Sequence, residues 1–208
     1  MSETWHQHRK QQNRDDIIAA GRQLFFSQGF PGVSVKDVCE QAGVSRVTYY
    51  KHFQSIDELV FTVQMQALEH LSENIQINDD PQLSGRDRLH RMLQAWSVYT
   101  LQNKADMRFI LLFDLHYDAY PPDAKLLNQY KAFIDLKKQT HFLNAPLQAG
   151  ISDGSLRPDL HVLETGEFIF TAMMGLLQKL SFGDPTKPQT HPISQRMIDM
   201  ILSSLSPR

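Results

Sequence analysis

A single cysteine, Cys39, stands in 208 residues, so no disulfide can form within the chain, and a reducing cytoplasm is the setting this fits. No run of about 18 apolar residues occurs, so no membrane-spanning helix is expected. The opening MSETWHQHRKQQNRDD is polar and lacks the apolar segment of a signal peptide. An excess of one charge is also missing: 21 Lys and Arg face 23 Asp and Glu, a formal net charge of −2. Nucleic-acid binding by bulk positive charge is thereby excluded, and any such site must be local. Absent too are G-x-S-x-G, G-x-x-x-x-G-K-S/T, H-E-x-x-H and paired C-x-x-C. No nucleophile elbow, phosphate-cradling loop or zinc site is written here, so neither an enzyme nor a cofactor is expected. His6 and His8 lack further ligands for a metal and are expected in a disordered tail. Cys39, spaced as a core residue, is not read as a nucleophile.

What the chain does contain is helical periodicity throughout, with no convincing period-2 strand, so the class is all-α. Asp15 and Asp16 suit a helix N-terminus, and Ile17, Ala20, Leu24 and Phe25 follow at helical spacing before Gly29. Ser34 is an N-cap for a short helix carrying Val35, Val38 and Cys39, which Gly43 breaks. Ser45 caps a third helix running to about His52, and Ser55 with Glu58 makes a capping box for a fourth. INDDPQLSGRD is a loop. Further helices are expected at about Met107 to Tyr117, from Pro122 and Asp123 to roughly Gln148, at His161 to Ser181 and at Ile193 to Leu205. AGISDGSLRPD and FGDPTKPQTHP read as the turns between the later ones.

The stretch CEQAGVSRVTYYKHF, residues 39–53, joins two short helices through Ala42-Gly43-Val44, a helix-turn-helix pattern. Tyr49 and Phe53, four apart, share a face and can join Leu24, Phe25, Val35 and Val38 in a core. Arg46 with Tyr50, and Val47 with Lys51, then point away from that core. Arg suits the paired acceptors of guanine, and Val can touch a thymine methyl. Thr48, Tyr50 and His52 can donate to phosphate oxygens, and the helix N-terminus at Ser45 adds partial positive charge. Residues 1–58 carry seven Lys or Arg and seven Asp or Glu, so a binding face must be made by position. Lys36 opens the second helix, and Arg9, Lys10 and Arg14 can follow the DNA backbone or minor groove.

These residues resemble the TetR family of bacterial transcriptional repressors. The resemblance runs from Ile17 to Leu59, through Ala20, Leu24-Phe25, Gly29, Val35, Val38, AGVS at 42–45, Thr48, Tyr50, HF at 52–53 and Leu59. It implies that Arg46 and Val47 read bases, that Lys51 reads a base or a phosphate, and that Thr48, Tyr50 and His52 hold the backbone. Three positions depart from the family pattern. Ile56 stands where a phosphate-binding Lys is common, Val47 where a Gly is common, and Cys39 where an Ala is common. Ile56 leaves that phosphate contact open.

The resemblance divides the chain into a helix-turn-helix DNA-binding domain at 1–55 and a helical effector-binding and dimerisation domain at 56–208. It implies a homodimer on a double-stranded, palindromic operator, with two heads about 34–36 Å apart. Its last two helices would form the interface, here through Phe170, Met174, Leu177, Met197 and Ile201. It also implies a small-molecule effector. An aromatic set on the middle helices supplies candidates: Trp96, Tyr99, Phe109, Phe113, His116, Tyr117, Tyr130, Phe133, Phe142 and Met173. Such a pocket suits an apolar or aromatic ligand, with His116, Tyr117 or Asp114 giving polar contact. Release would follow from the ligand's differential affinity for the two states of the head. A DNA-bound adaptor controlled by a protein partner and an unrelated helical enzyme are the alternatives.

Overall fold

The computed structural model of the chain describes residues 2–182 and 192–207, with the side chains of 2–4 and 6 outside that description. Its elements there are α1 (Ser2–Gln28), a 3-10 turn (Phe30–Gly32), α2 (Val35–Ala42), α3 (Arg46–Tyr50), α4 (Ile56–Gln76), α5 (Gly85–Gln102), α6 (Lys104–Ala119), α7 (Ala124–Gln139), α8 (Asn144–Asp153), α9 (Val162–Ser181) and α10 (Pro192–Leu205). No strand occurs among the described residues. Of the expected turns, FGDPTKPQTHP lies almost wholly outside them.

Two compact units divide the chain. The first holds 1–67 and 109–130, so it takes in the 1–55 stretch and adds the start of α4, most of α6 and the start of α7. The second holds 68–108 and 131–208.

Three helix boundaries differ from expectation. α1 begins at Ser2, where a tail was expected. Residues 2–14 contain no Gly or Pro and are rich in Gln, Arg and Lys, all good helix formers. Gln11 and Gln12 each donate to the Asp four residues on, at 2.8 and 2.9 Å. The long helix expected to reach Gln148 is two, α7 and α8. Pro146 lies in the first turn of α8, where its missing N–H costs nothing; in a continuous helix it would clash with the carbonyl of Phe142. α8 then runs on through Ala149–Asp153, which had been read as turn.

The first unit is built on local caps and one aromatic core. Ser34 accepts from the Asp37 amide while Asp37 accepts from the Ser34 amide, a complete capping box on α2. At α4 the device is split: the Ser55 hydroxyl accepts from the Glu58 amide, but the Glu58 carboxylate reaches the amide of Gln54 at 2.6 Å. Ile17, Phe25, Val38, Tyr49, Phe53, Leu59 and Phe61 are buried together. α6 adds Phe109, stacked 6.2 Å from Phe25, and Phe113, 4.7 Å from Phe61.

In the second unit α5 and α8 touch backbone to backbone. A Cβ at Gly85 would strike the Gly150 backbone and the Pro146 carbonyl. The close approach lets the Gly85 amide donate to Asp153 and the Arg86 amide donate to Ser155, at 2.8 and 3.1 Å. These bonds satisfy two of the unpaired N–H groups at the start of α5.

Candidate nucleic-acid interface

α3 has five residues, too few to hold a helix alone, so its orientation depends on anchors. At its start the Ser45 hydroxyl accepts from the Thr48 amide at 3.1 Å and lies 3.0 Å from the Thr48 hydroxyl. Behind it Gly43, at φ 65°, makes the left-handed turn, and the Val44 amide donates back to Cys39 at 3.0 Å. Val44 packs against the core beneath that turn. Beyond α3, Tyr49 and Phe53 are fully buried, their rings 5.8 Å apart. The Tyr49 hydroxyl donates to the Ser55 carbonyl at 3.0 Å, tying α3 to the start of α4. Burial and the acidic groups Glu58 and Asp57 push its phenol pKa far up.

With those two side chains inward, the others project. Val47 is 70% exposed and Tyr50 55% exposed, fractions that exclude a role in the unit's core. Arg46 and Lys51 are exposed as well. A large apolar residue displayed in this way has no folding use, and its neighbours are a guanidinium, a phenol and an ammonium. Lys36 is also exposed, with Glu40 3.6 Å away.

α1 supplies a second set. Arg9, Lys10 and Asn13 line one cleft with Thr48, Lys51 and His52. The Arg14 guanidinium lies over the Phe53 ring, 5.2 Å from its centroid. Burial, and then Lys10, Arg14 and Lys51, hold the His52 imidazole below its ordinary pKa. Cations thus crowd one place although residues 1–58 carry no net charge. Asn13 was missed from the sequence. Its signal is the spacing of Lys10, Asn13, Arg14 and Ile17, which extends the core-facing stripe of α1 backward.

The expected ligand residues separate. Phe109, Phe113, His116, Tyr117 and Tyr130 lie in the first unit. Phe109, Phe113, Tyr117 and Tyr130 belong to its hydrophobic core or pack against it. Tyr117 stacks on Phe30 at 5.6 Å and donates to Asp57 at 2.6 Å, and His116 meets Phe30 edge-on. These side chains hold α6 against the head. Asp114 is exposed, and Phe133 lies under the ammonium of Lys137. In the second unit Tyr99 donates to Asp106 and meets His70, at 3.1 and 3.0 Å. Trp96 and Met173 are fully buried and Phe142 nearly so; the Trp96 ring is 5.6 Å from Phe142 and 5.3 Å from Phe170. His141, not picked out from the sequence, packs on the same two phenyl rings.

The residues expected at the dimer interface pack largely within their own chain. Met174, Leu177 and Ile201 are buried within the chain itself, and Phe170 turns its ring to Trp96 and His141. Met197 is half-buried. The exposed apolar residues of α9 and α10 are instead Leu163, Phe168, Ile193 and Met200. Periodicity had identified the apolar helices, but the side of each that its own core consumes depends on neighbours distant in sequence.

A serine-capped helix presented over a buried tyrosine and phenylalanine, after a glycine turn and beside a cationic cleft, defines a helix-turn-helix DNA-binding protein. Residues 17–63 match the model of the bacterial regulatory proteins of the tetR family. The chain is 27% identical over 153 residues to the HTH-type transcriptional repressor KstR2 of Mycolicibacterium smegmatis, covering 72% of this chain and 70% of that protein. It is 23% identical over 176 residues to the HTH-type transcriptional regulator UidR of Escherichia coli, covering 84% of each. Among solved structures, the ketosteroid transcriptional regulator KstR2 of Mycobacterium tuberculosis superposes with a TM-score of 0.60 at 20% identity, covering 94% of this chain and 95% of that one. A tetR-family regulatory protein from Rhodococcus RHA1 gives 0.67 at 16% identity, covering 94% and 98%. Residues 17–63 are thus a DNA-binding region of the tetR kind, and the chain is similar over most of its length to DNA-binding transcriptional regulators of that family. No helix among the described residues is long and apolar enough to cross a membrane.

Proposed function

We propose that the protein is a repressor that binds a palindromic operator as a homodimer and leaves it when a small apolar or aromatic effector occupies the second unit. The observation that carries the DNA reading is the display of Arg46, Val47 and Tyr50 on a helix whose alternate side, Tyr49 and Phe53, is fully buried. Arg46 and Val47 read base edges; Lys51 reads a base or a phosphate. Thr48, Tyr50, His52 and the Ser45 end of α3 hold phosphates, with Lys36 beside them. Arg9 and Lys10 extend the contact along the backbone. A relative named as a repressor supports the sign of regulation.

The dimer face is assigned to Leu163, Phe168, Ile193 and Met200, exposed on two helices that have already filled their own core. Gly175, open on the same side of α9 as Phe168, permits close approach of a partner helix. The effector is assigned to the ring cluster of Trp96, Phe142 and Phe170 with Met173. Selection of bound DNA from a random pool tests the whole: a palindrome is expected, and recovery of no preferred sequence overturns it. Replacing Arg46 by Ala should then weaken operator binding by about 1–3 kcal/mol and relax preference at one base position in each half-site. Full operator affinity in that variant would remove Arg46 from the site.

A further inference from the structure

Within the ring cluster of the second unit, two N–H groups have no partner. Trp96 is 0% exposed, and its Nε1–H, buried, donates to nothing. The Nε2 of His141 is likewise buried and unpaired. The protonation of that imidazole is fixed by its other side. The Leu143 amide donates to His141 Nδ1 at 3.2 Å, so Nδ1 is the acceptor and the ring proton sits on Nε2. Burial drives the imidazole pKa down to about 4, so at neutral pH it is an uncharged donor.

The indole and the imidazole that carry these donors pack on the same pair of phenyl rings. Trp96 lies 5.6 Å from Phe142 and 5.3 Å from Phe170; His141 lies 4.2 Å from Phe142 and 5.1 Å from Phe170. An unpaired buried donor is destabilising, and two of them in one apolar cluster constitute a demand for an acceptor. Among the described residues burial alone, with no charged neighbour, shifts the His141 imidazole, and burying an unpaired carboxylate costs far more than burying a carbonyl. Phe170 and His141 are partly exposed, so the cluster reaches the surface along their edge.

From this we infer that the effector site is selective for an uncharged apolar ligand bearing a carbonyl-type oxygen, which receives the Trp96 Nε1–H and the His141 Nε2–H. The inference rests on the effector reading above and gives that effector a chemical class. Such a ligand replaces solvent or nothing at both donors, so its oxygen contributes affinity that a hydrocarbon of equal shape cannot supply.

The test compares three probes on the whole protein in the absence of DNA: 2-acetonaphthone, the isosteric hydrocarbon 2-isopropenylnaphthalene, and 2-naphthoate. Calorimetry should find the ketone bound about tenfold or more tightly than the hydrocarbon. The Trp96 indole N–H resonance, assigned in a Trp5→Phe background, should move downfield with the ketone only. His141→Phe and Trp96→Phe should each shrink the preference for the ketone, and the wild-type comparison stands even where a variant fails to fold. Equal binding of ketone and hydrocarbon, binding of neither, or tighter binding of the naphthoate overturns the inference. Operator release is measured separately. A ketone that binds as described without weakening DNA binding leaves the donor assignment standing and sinks the effector reading.

Discussion

The Tyr49 hydroxyl reaches past its own helix to the Ser55 carbonyl, 3.0 Å away, and so joins the short α3 to the first turn of α4. Tyr49→Phe keeps the buried ring and deletes this one bond. A loss of about 1 kcal/mol is expected in urea unfolding. Operator affinity should fall as well, because α3 has only five residues and borrows its orientation from what it is tied to. Unchanged affinity alongside reduced stability would mean that Phe53 and the Ser45 cap suffice to aim it.

The cleft lined by Arg9, Lys10, Thr48, Lys51 and His52 makes salt the sharpest probe of the DNA face. Lys10→Ala and Lys51→Ala should each lower the slope of log K against log salt by about 0.9 if each neutralises one phosphate. Titrations of operator binding between low and moderate ionic strength read this directly. A wild-type slope near zero would contradict phosphate contact at this surface.

His141 predicts an acid instability. Its folded pKa, about 4, lies below the ordinary imidazole value of 6.5. Between those limits the unfolded chain takes up a proton that the folded chain refuses. Stability is therefore fully present above about pH 6.5 and is lost progressively as pH falls toward 4, by about 2–3 kcal/mol at the lower limit. Thermal unfolding across that range should decline more steeply for the wild type than for His141→Phe, which has no such proton to exchange.

Gly85 is the least replaceable small residue of the second unit. Its hypothetical Cβ meets backbone of Gly150 and Pro146, neither of which can swing aside as a side chain would. Gly85→Ala should cost about 3 kcal/mol, at the upper end of overpacking penalties. The separation of α5 from α8 would also release the amides of Gly85 and Arg86 from Asp153 and Ser155. Gly175→Ala, where a Cβ would meet nothing within the chain, serves as the control for stability.

The reading head was legible in the sequence because its signals are local. Ser34, Gly43, Ser45, Tyr49 and Phe53 each act on neighbours within a few residues, and their spacings suffice to specify the turn and its two helices. The middle of the chain was less so. Pro146 marks the α7–α8 break four residues after Phe142, so the signal lies inside the second helix and not at the gap. The aromatics of α6 show the same loss. Helical spacing identifies Phe109 and Phe113 as inward, yet it cannot say that inward means Phe25 and Phe61. His141 escaped because an imidazole in a polar-looking stretch, QTHF, gives no hint that burial has removed its charge.

In α3, folding and reading are carried by different letters. Tyr49 and Phe53 are spent on the interior, while Arg46, Val47, Tyr50 and Lys51 are displayed to solvent. Those four positions can be rewritten at little thermodynamic penalty, so target choice in a lineage of such proteins is free to drift while the scaffold stays put. The same separation makes α3 a natural place to reprogram the protein toward a new binding sequence.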